Sequence, residues 1–277
     1  MPLVQTCPTV SPEPDPRLTE AVLALVRQRM AEKPGLVVIG IAGSQGSGKT
    51  TLARWLTERL TRDGIAAAQV SLDDFYLTRS QRQELARRVH PLFATRGVPG
   101  THDIGLALRT LDALALGQRV ALPHFDKAQD DRASTVDWPH APEHCRVLVC
   151  EGWCMGAKPQ PESALCDPVN ALEAEEDPQG LWRRHANTCL AGDYQSLFAR
   201  LDALIMLAAP SFGVVADWRL QQERDLGGKG MRVMDAAGIA RFVQFYQRIT
   251  EWMLSELPVR ADLVVRLDEQ RRVTGIR

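Results

Sequence analysis

Residues 43–50, GSQGSGKT, match the pattern G-x-x-x-x-G-K-[ST] in full. The chemistry such a stretch can do is anion binding. Gly43, Gly46 and Gly48 open backbone conformations closed to other residues, so successive N–H groups can converge on phosphate oxygens. Ser44, Gln45 and Ser47 complete the loop, and Thr51 follows it. Lys49 would reach the β- and γ-phosphates, and the Thr50 hydroxyl would ligate Mg²⁺. A nucleoside triphosphate is the expected ligand. No N-K-x-D guanine-reading motif accompanies the loop, which disfavours a GTPase of the common kind.

Two further acidic features could act on such a ligand. Asp73 and Asp74 lie together in SLDDFYLT (71–78), and Glu151 follows the apolar run CRVLVC (145–150). A carboxylate near the transferred phosphate can accept or orient the proton of an attacking hydroxyl. Along an extended chain neighbouring side chains face opposite ways, so Asp73 and Asp74 should not share one role. One should point at the phosphates, while the other caps a turn or touches the acceptor. Glu151 is expected to hold Mg²⁺, directly or through water, or to orient the acceptor. A metal set of Thr50, Asp73 and Glu151 follows. A zinc site is disfavoured, because Cys145, Cys150, Cys154, His140 and His144 show no zinc-ligand spacing.

Elements able to position these groups are legible around them. Asp15-Pro16 reads as an N-cap with Pro at N1, and Leu18, Val22, Leu25 and Val26 share one helical face. LVVIGIA (36–42) has the continuous apolar character of a strand buried on both faces of a parallel sheet. A helix with Leu52, Leu56 and Leu60 follows and stops at Gly64. Further strands are expected in 66–72, 145–150, 203–209 and 261–267, and further helices from the Thr78–Gln81 capping box and near Ile104. Residues 153–180 read as a loop or insertion. Residues 211–235 read as a charged helix followed by a GGKG loop, lid-like and mobile.

The chain has 277 residues, 45% of them hydrophobic, enough for a large core. The expected organisation is a Pro-rich disordered lead-in over 1–17 and a single domain over 18–277. A formal net charge of -1 gives no electrostatic case for nucleic acid or an anionic membrane. No apolar run nears the roughly 18 residues of a membrane span. Six cysteines without regular spacing suggest reduced thiols, and the start of the chain lacks the pattern of a signal peptide. A cytoplasmic protein of unspecified oligomeric state is the expectation.

The order of the phosphate loop, SLDDFYLT, RGVPGTHD, LPHFDK…DDR, EGWCMG and WRLQQE resembles the D-glycerate 3-kinase family, within the phosphoribulokinase and uridine kinase group of P-loop kinases. The likeness covers roughly residues 36–267. It implies a P-loop NTPase fold of three α/β/α layers with a mostly parallel sheet, ATP and Mg²⁺ as cofactors, and glycerate as the small-molecule hydroxyl acceptor. Another small alcohol or a non-catalytic ATP-binding protein are the alternatives. The resemblance implies Asp73 as the catalytic base, with Asp74 structural or secondary. It also implies Lys49 and Glu151 in the catalytic set, and Arg219 and Arg224 as lid cations. Asp126, Lys127, Arg132, His102, Trp153 and Asp74 are the acceptor-side candidates. Where plant members have Tyr, this chain has Phe125, which removes a phenol from the acceptor side.

Overall fold

The computed structural model describes residues 14–227 and 235–277. In chain order the principal elements are α1 (Pro16–Glu32), β1 (Val37–Gly43), α2 (Lys49–Arg62), β2 (Ala67–Ser71), α3 (Arg79–Arg88) and α4 (Ile104–Ala115). They continue through β3 (Phe125–Asp126), β4 (Asp131–Arg132), β5 (Val147–Gly152), α5 (Ala171–Glu176), α6 (Leu181–Ala191) and α7 (Asp193–Phe198). The last are β6 (Ala203–Ala208), α8 (Gly213–Gly227), α9 (Ala236–Glu256), β7 (Leu263–Leu267) and β8 (Val273–Ile276).

Six strands form one sheet in the order β2-β5-β1-β6-β7-β8. All pairings are parallel except β7–β8. Every residue of β1 is buried, as its continuous apolar run predicts. Its alternate residues divide between two cores. Val37, Ile39 and Ile41 pack with α1 and α2 residues such as Val22, Leu52 and Leu56. Val38 and Ala42 face the opposite side, with Leu111, Tyr194 and Phe245 from the later helices. Three layers result, each fully buried branched side chain contributing about 1.5–3 kcal/mol.

The helix boundaries follow local signals. Asp15 caps α1 by accepting from the Arg17 N–H, with Pro16 in the first turn. Pro16 and Arg17, grouped above with a lead-in over 1–17, therefore belong to the first helix; residues 1–13 lie outside the described residues. Thr78 and Gln81 form the expected reciprocal capping box on α3. Residues 153–180 are less loop-like than their composition suggests, for they contain α5 and lead directly into α6 and α7. Two buried ion pairs fix this insertion: Arg183 to Asp177 at 3.1 Å, and Arg248 of α9 to Glu173 at 2.6 Å. The antiparallel β8, too short and mixed to stand out in the sequence, closes the sheet edge. The helical part of the 211–235 segment is α8, and residues 228–234 of its GGKG loop lie outside the described residues.

Candidate active site

Strand register brings the acidic and glycine-rich motifs together. Glu151 is level with Ile41 of β1 on one side and Ser71 of β2 on the other. The turns that follow β1 and β2 therefore leave the same carboxyl edge of the sheet, where α/β folds bind ligands. Glu151 lies inside β5 rather than after it, which buries its carboxylate.

The phosphate loop runs from β1 into α2. Gly46 and Gly48 sit at φ +76° and +92°, a left-handed backbone that glycine adopts at little cost. Gly48 is the N-cap of α2 and supplies no side-chain hydrogen bond to the helix end. The first-turn N–H groups and the helix dipole remain available to an anion. The Ser44 and Ser47 hydroxyls and the Gln45 amide oxygen are buried without a partner among the described residues. Buried polar atoms are rarely left so, and phosphate oxygens or ordered water would satisfy the hydroxyls. Lys49 and Thr50 line the cavity above the loop, and Thr51 is exposed on the first turn of α2.

The Thr50 hydroxyl donates to Glu151 Oε1 at 2.7 Å. Glu151 Oε2 is buried without a partner among the described residues. A hydroxyl and a carboxylate with an unused oxygen form a hard donor set that fits Mg²⁺, whose remaining positions go to water and substrate phosphates in such sites. Asp73, the third residue expected to bind metal, has both oxygens engaged already: Oδ2 with Lys127 Nζ at 2.7 Å, and Oδ1 with the Tyr76 hydroxyl at 3.0 Å.

The paired acids make different contacts, but the cause is not strand alternation. Both lie on a 3₁₀ turn, Leu72–Phe75, just past β2. Asp73 faces the cavity. Asp74 turns back: Oδ2 accepts from the Ser71 N–H at 3.1 Å, and Oδ1 accepts from the Phe125 N–H and meets His124 Nδ1, each at 3.2 Å. Through these contacts Asp74 ties the β3–β4 hairpin to the end of β2. That hairpin carries Lys127. Burial, the largest influence on Asp73, works to raise its pKa, yet the Lys127 and Lys49 ammonium groups outweigh it and hold the carboxyl well below the usual range. Asp74 lies above its ordinary value, chiefly through burial. Lys127 is raised by Asp73.

Three acceptor-side candidates are engaged by partners within the fold. His102 is buried, its Nδ1 2.6 Å from the Tyr194 hydroxyl and its ring stacked on Tyr76 at 4.4 Å. It stands behind the cavity wall, and burial lowers its pKa to about 4, so it is neutral. Arg132 donates to the Tyr76 carbonyl at 2.9 Å and pairs with Asp103 at 3.4 Å, bracing the turn. Asp126 accepts from the Ala128 and Gln129 N–H groups and shapes the hairpin loop. Trp153 does line the cavity; its Nε1 donates to the Gly97 carbonyl at 2.9 Å. Arg219 of α8 reaches the cavity with its guanidinium 5.0 Å from the Phe242 ring. Arg224 is on the same helix, but its side chain lies outside the described residues.

The cavity holds about 420 Å³ and includes groups the sequence did not single out: Tyr76, Arg96, Asp130, Phe242 and Tyr246. Arg96 opens the RGVPGTHD segment, and only that segment's cationic first residue could have flagged it. Among the described residues, Lys49, Arg96, Lys127 and Arg219 line the cavity against Asp73, Asp130 and Glu151. The cavity therefore suits a highly charged anion, with an ionised carboxylate poised at one wall. Such a combination can move a phosphoryl group to a hydroxyl, which is the work of a P-loop kinase.

Residues 38–157 match the phosphoribulokinase / uridine kinase family. The chain is 33% identical over 239 residues to an uncharacterised kinase of Schizosaccharomyces pombe, covering 83% of this chain and 85% of that protein. It is 32% identical over 254 residues to the chloroplastic D-glycerate 3-kinase of Arabidopsis thaliana, covering 85% of this chain but 53% of that longer protein. A D-glycerate 3-kinase structure from Cryptococcus neoformans shares the fold, with a TM-score of 0.79 and 24% identity over 95% of this chain and 99% of that one. The protein belongs to the phosphoribulokinase and uridine kinase family and is homologous to D-glycerate 3-kinase. Among the described residues no helix is long and apolar enough to cross a membrane.

Proposed function

We propose that the protein transfers the γ-phosphate of ATP to a hydroxyl of D-glycerate, giving 3-phosphoglycerate. The observation that carries this reading is Asp73, ionised by its cationic neighbours and facing the same cavity as Lys49 of the phosphate loop. The homology to D-glycerate 3-kinase supports the choice of acceptor. The phosphate loop N–H groups and Lys49 hold the triphosphate. Thr50 and Glu151 would hold Mg²⁺, which supplies charge neutralisation between the β- and γ-phosphates.

Asp73 accepts a hydrogen bond from the attacking hydroxyl and takes its proton as the new O–P bond forms and the bond from the γ-phosphorus to the bridging oxygen of the departing ADP breaks. A carboxylate with so low a pKa is a weak base for an isolated alcohol. In a loose phosphoryl-transfer transition state the proton leaves late, so orienting the hydroxyl matters more than basicity. Lys127 and Arg219 bring positive charge to the oxygens that gain negative charge. Trp153 and Phe242 contribute apolar walls that limit water.

A coupled ADP-release assay over a panel of small alcohols, hydroxy acids and nucleosides tests the reading. Turnover with D-glycerate above every other acceptor is expected, with 3-phosphoglycerate as product. ADP release no faster with D-glycerate than with water alone would reject it.

A further inference from the structure

Arg96 lines the cavity and is held in place by Asp130, which lines it too. Its Nη1 pairs with Asp130 Oδ1, and its guanidinium lies 5.4 Å from the Phe125 ring centroid. Asp130 is in turn gripped by Arg82, which is 0% exposed: Arg82 Nη2 donates to Asp130 Oδ2 at 2.6 Å and to the Asp130 carbonyl at 2.9 Å. Arg82 Nη1 donates to the Leu77 carbonyl at 2.7 Å, and its guanidinium lies 5.5 Å from the same Phe125 ring. Asp130 adopts φ +55°, a left-handed backbone uncommon for a residue with a side chain. Such a conformation persists where the surroundings over-determine it.

This arrangement is costly if its only task is packing. A fully buried guanidinium needs a partner, and one carboxylate is here shared between two arginines. The shared carboxylate leaves the pair with a surplus positive charge, and of the two only Arg96 faces the cavity. On the hairpin side the Phe125 ring packs edge-on against Tyr76 at 5.3 Å, and the Tyr76 hydroxyl donates to Asp73. The cationic fork and the ionised acid are therefore linked through rigid aromatic rings.

We propose that Arg96 binds the carboxylate of the acceptor, and that Asp130 and Arg82 are positioning residues that fix its guanidinium. This inference rests on the acceptor being a small hydroxy acid. A planar fork matches a carboxylate in two parallel hydrogen bonds, which a lysine cannot reproduce. Anchoring the acid end there selects hydroxy acids over neutral polyols and leaves the hydroxyl end for Asp73.

The test compares D-glycerate with its neutral amide, D-glyceramide, as acceptors for wild type, Arg96→Lys, Arg96→Met and Asp130→Asn. For wild type, kcat/KM should favour the acid. In Arg96→Met the D-glycerate KM should rise by about 10–100-fold, the loss of a charge-assisted hydrogen-bonded pair, while KM for ATP and for the amide stay near wild type. Arg96→Lys should recover part of the loss at most. Asp130→Asn, which retains the preference for a left-handed backbone, should raise the D-glycerate KM more than it lowers kcat. If Arg96→Met keeps the acid-over-amide preference, or raises all three KM values alike, Arg96 does not read the carboxylate. If wild type uses no hydroxy acid while phosphorylating a neutral alcohol, both the inference and the proposed acceptor fail together.

Discussion

Asp73 keeps its charge in a half-buried site because Lys127 and Lys49 lie close by, and that dependence is measurable. With its pKa held well below the usual carboxylate range, protonation of Asp73 should not limit kcat/KM in the mildly acidic range. Replacing Lys127 by Met removes the leading cation and leaves burial, which raises a carboxyl pKa. The acid limb of the kcat/KM profile should therefore move to higher pH, activity being lost earlier as pH falls. An unmoved limb in Lys127→Met would mean that Lys127 does not set the charge of Asp73. The linked stability has the same sign: a carboxyl depressed in the folded state stabilises it above the unfolded pKa, and that contribution is lost as pH falls through the folded value. The Ser44 and Ser47 hydroxyls, buried without a partner among the described residues, follow the same residue-scale logic, since they can donate to the oxygens of a bound anion.

At the scale of elements, turns decide which residues meet. The notion that alternation along a strand separates Asp73 from Asp74 fails, because the chain has already left β2 for a 3₁₀ turn. The separation survives for another reason: Asp74 closes a capping box on that turn and accepts from the hairpin. The phosphate loop and its flanking strand and helix were legible because glycine spacing and apolar periodicity are local properties. Arg96, Asp130 and Tyr246 were not, because their place in the cavity depends on long-range packing among α9, the hairpin and the 94–97 segment. Gly97 shows how tight that packing is. A Cβ there would run into the Tyr246 phenol, and the residue sits at φ +142°. Gly97→Ala should lower the unfolding free energy by about 1–3 kcal/mol and raise the acceptor KM more than that for ATP, as denaturant titration and kinetics would record. A stable variant with unchanged KM values would show that this wall tolerates displacement.

Across the molecule, a buried parallel sheet supplies the rigid edge, and the 153–180 insertion packs against α9 through the Arg248–Glu173 pair. The sheet was readable from its β-branched runs, whereas the insertion, rich in Pro, Glu and Asp, looked like surface loop. Its acidic residues are partly internal: Glu173 is 0% exposed and takes two hydrogen bonds from Arg248 of α9. Glu173→Ala should cost about 3–5 kcal/mol by stranding that buried guanidinium, lowering the denaturation midpoint. A loss below about 1 kcal/mol would mean that the insertion is not anchored there. All these supports converge on one carboxylate, so the most direct test of the account compares Asp73→Asn with Asp74→Asn. ATP affinity is measured by calorimetry and turnover by the formation of 3-phosphoglycerate from D-glycerate. The account predicts that Asp73→Asn binds ATP nearly as wild type but turns over about 10²–10⁴-fold more slowly, while Asp74→Asn retains most of its turnover. Full turnover in Asp73→Asn with loss in Asp74→Asn would contradict it.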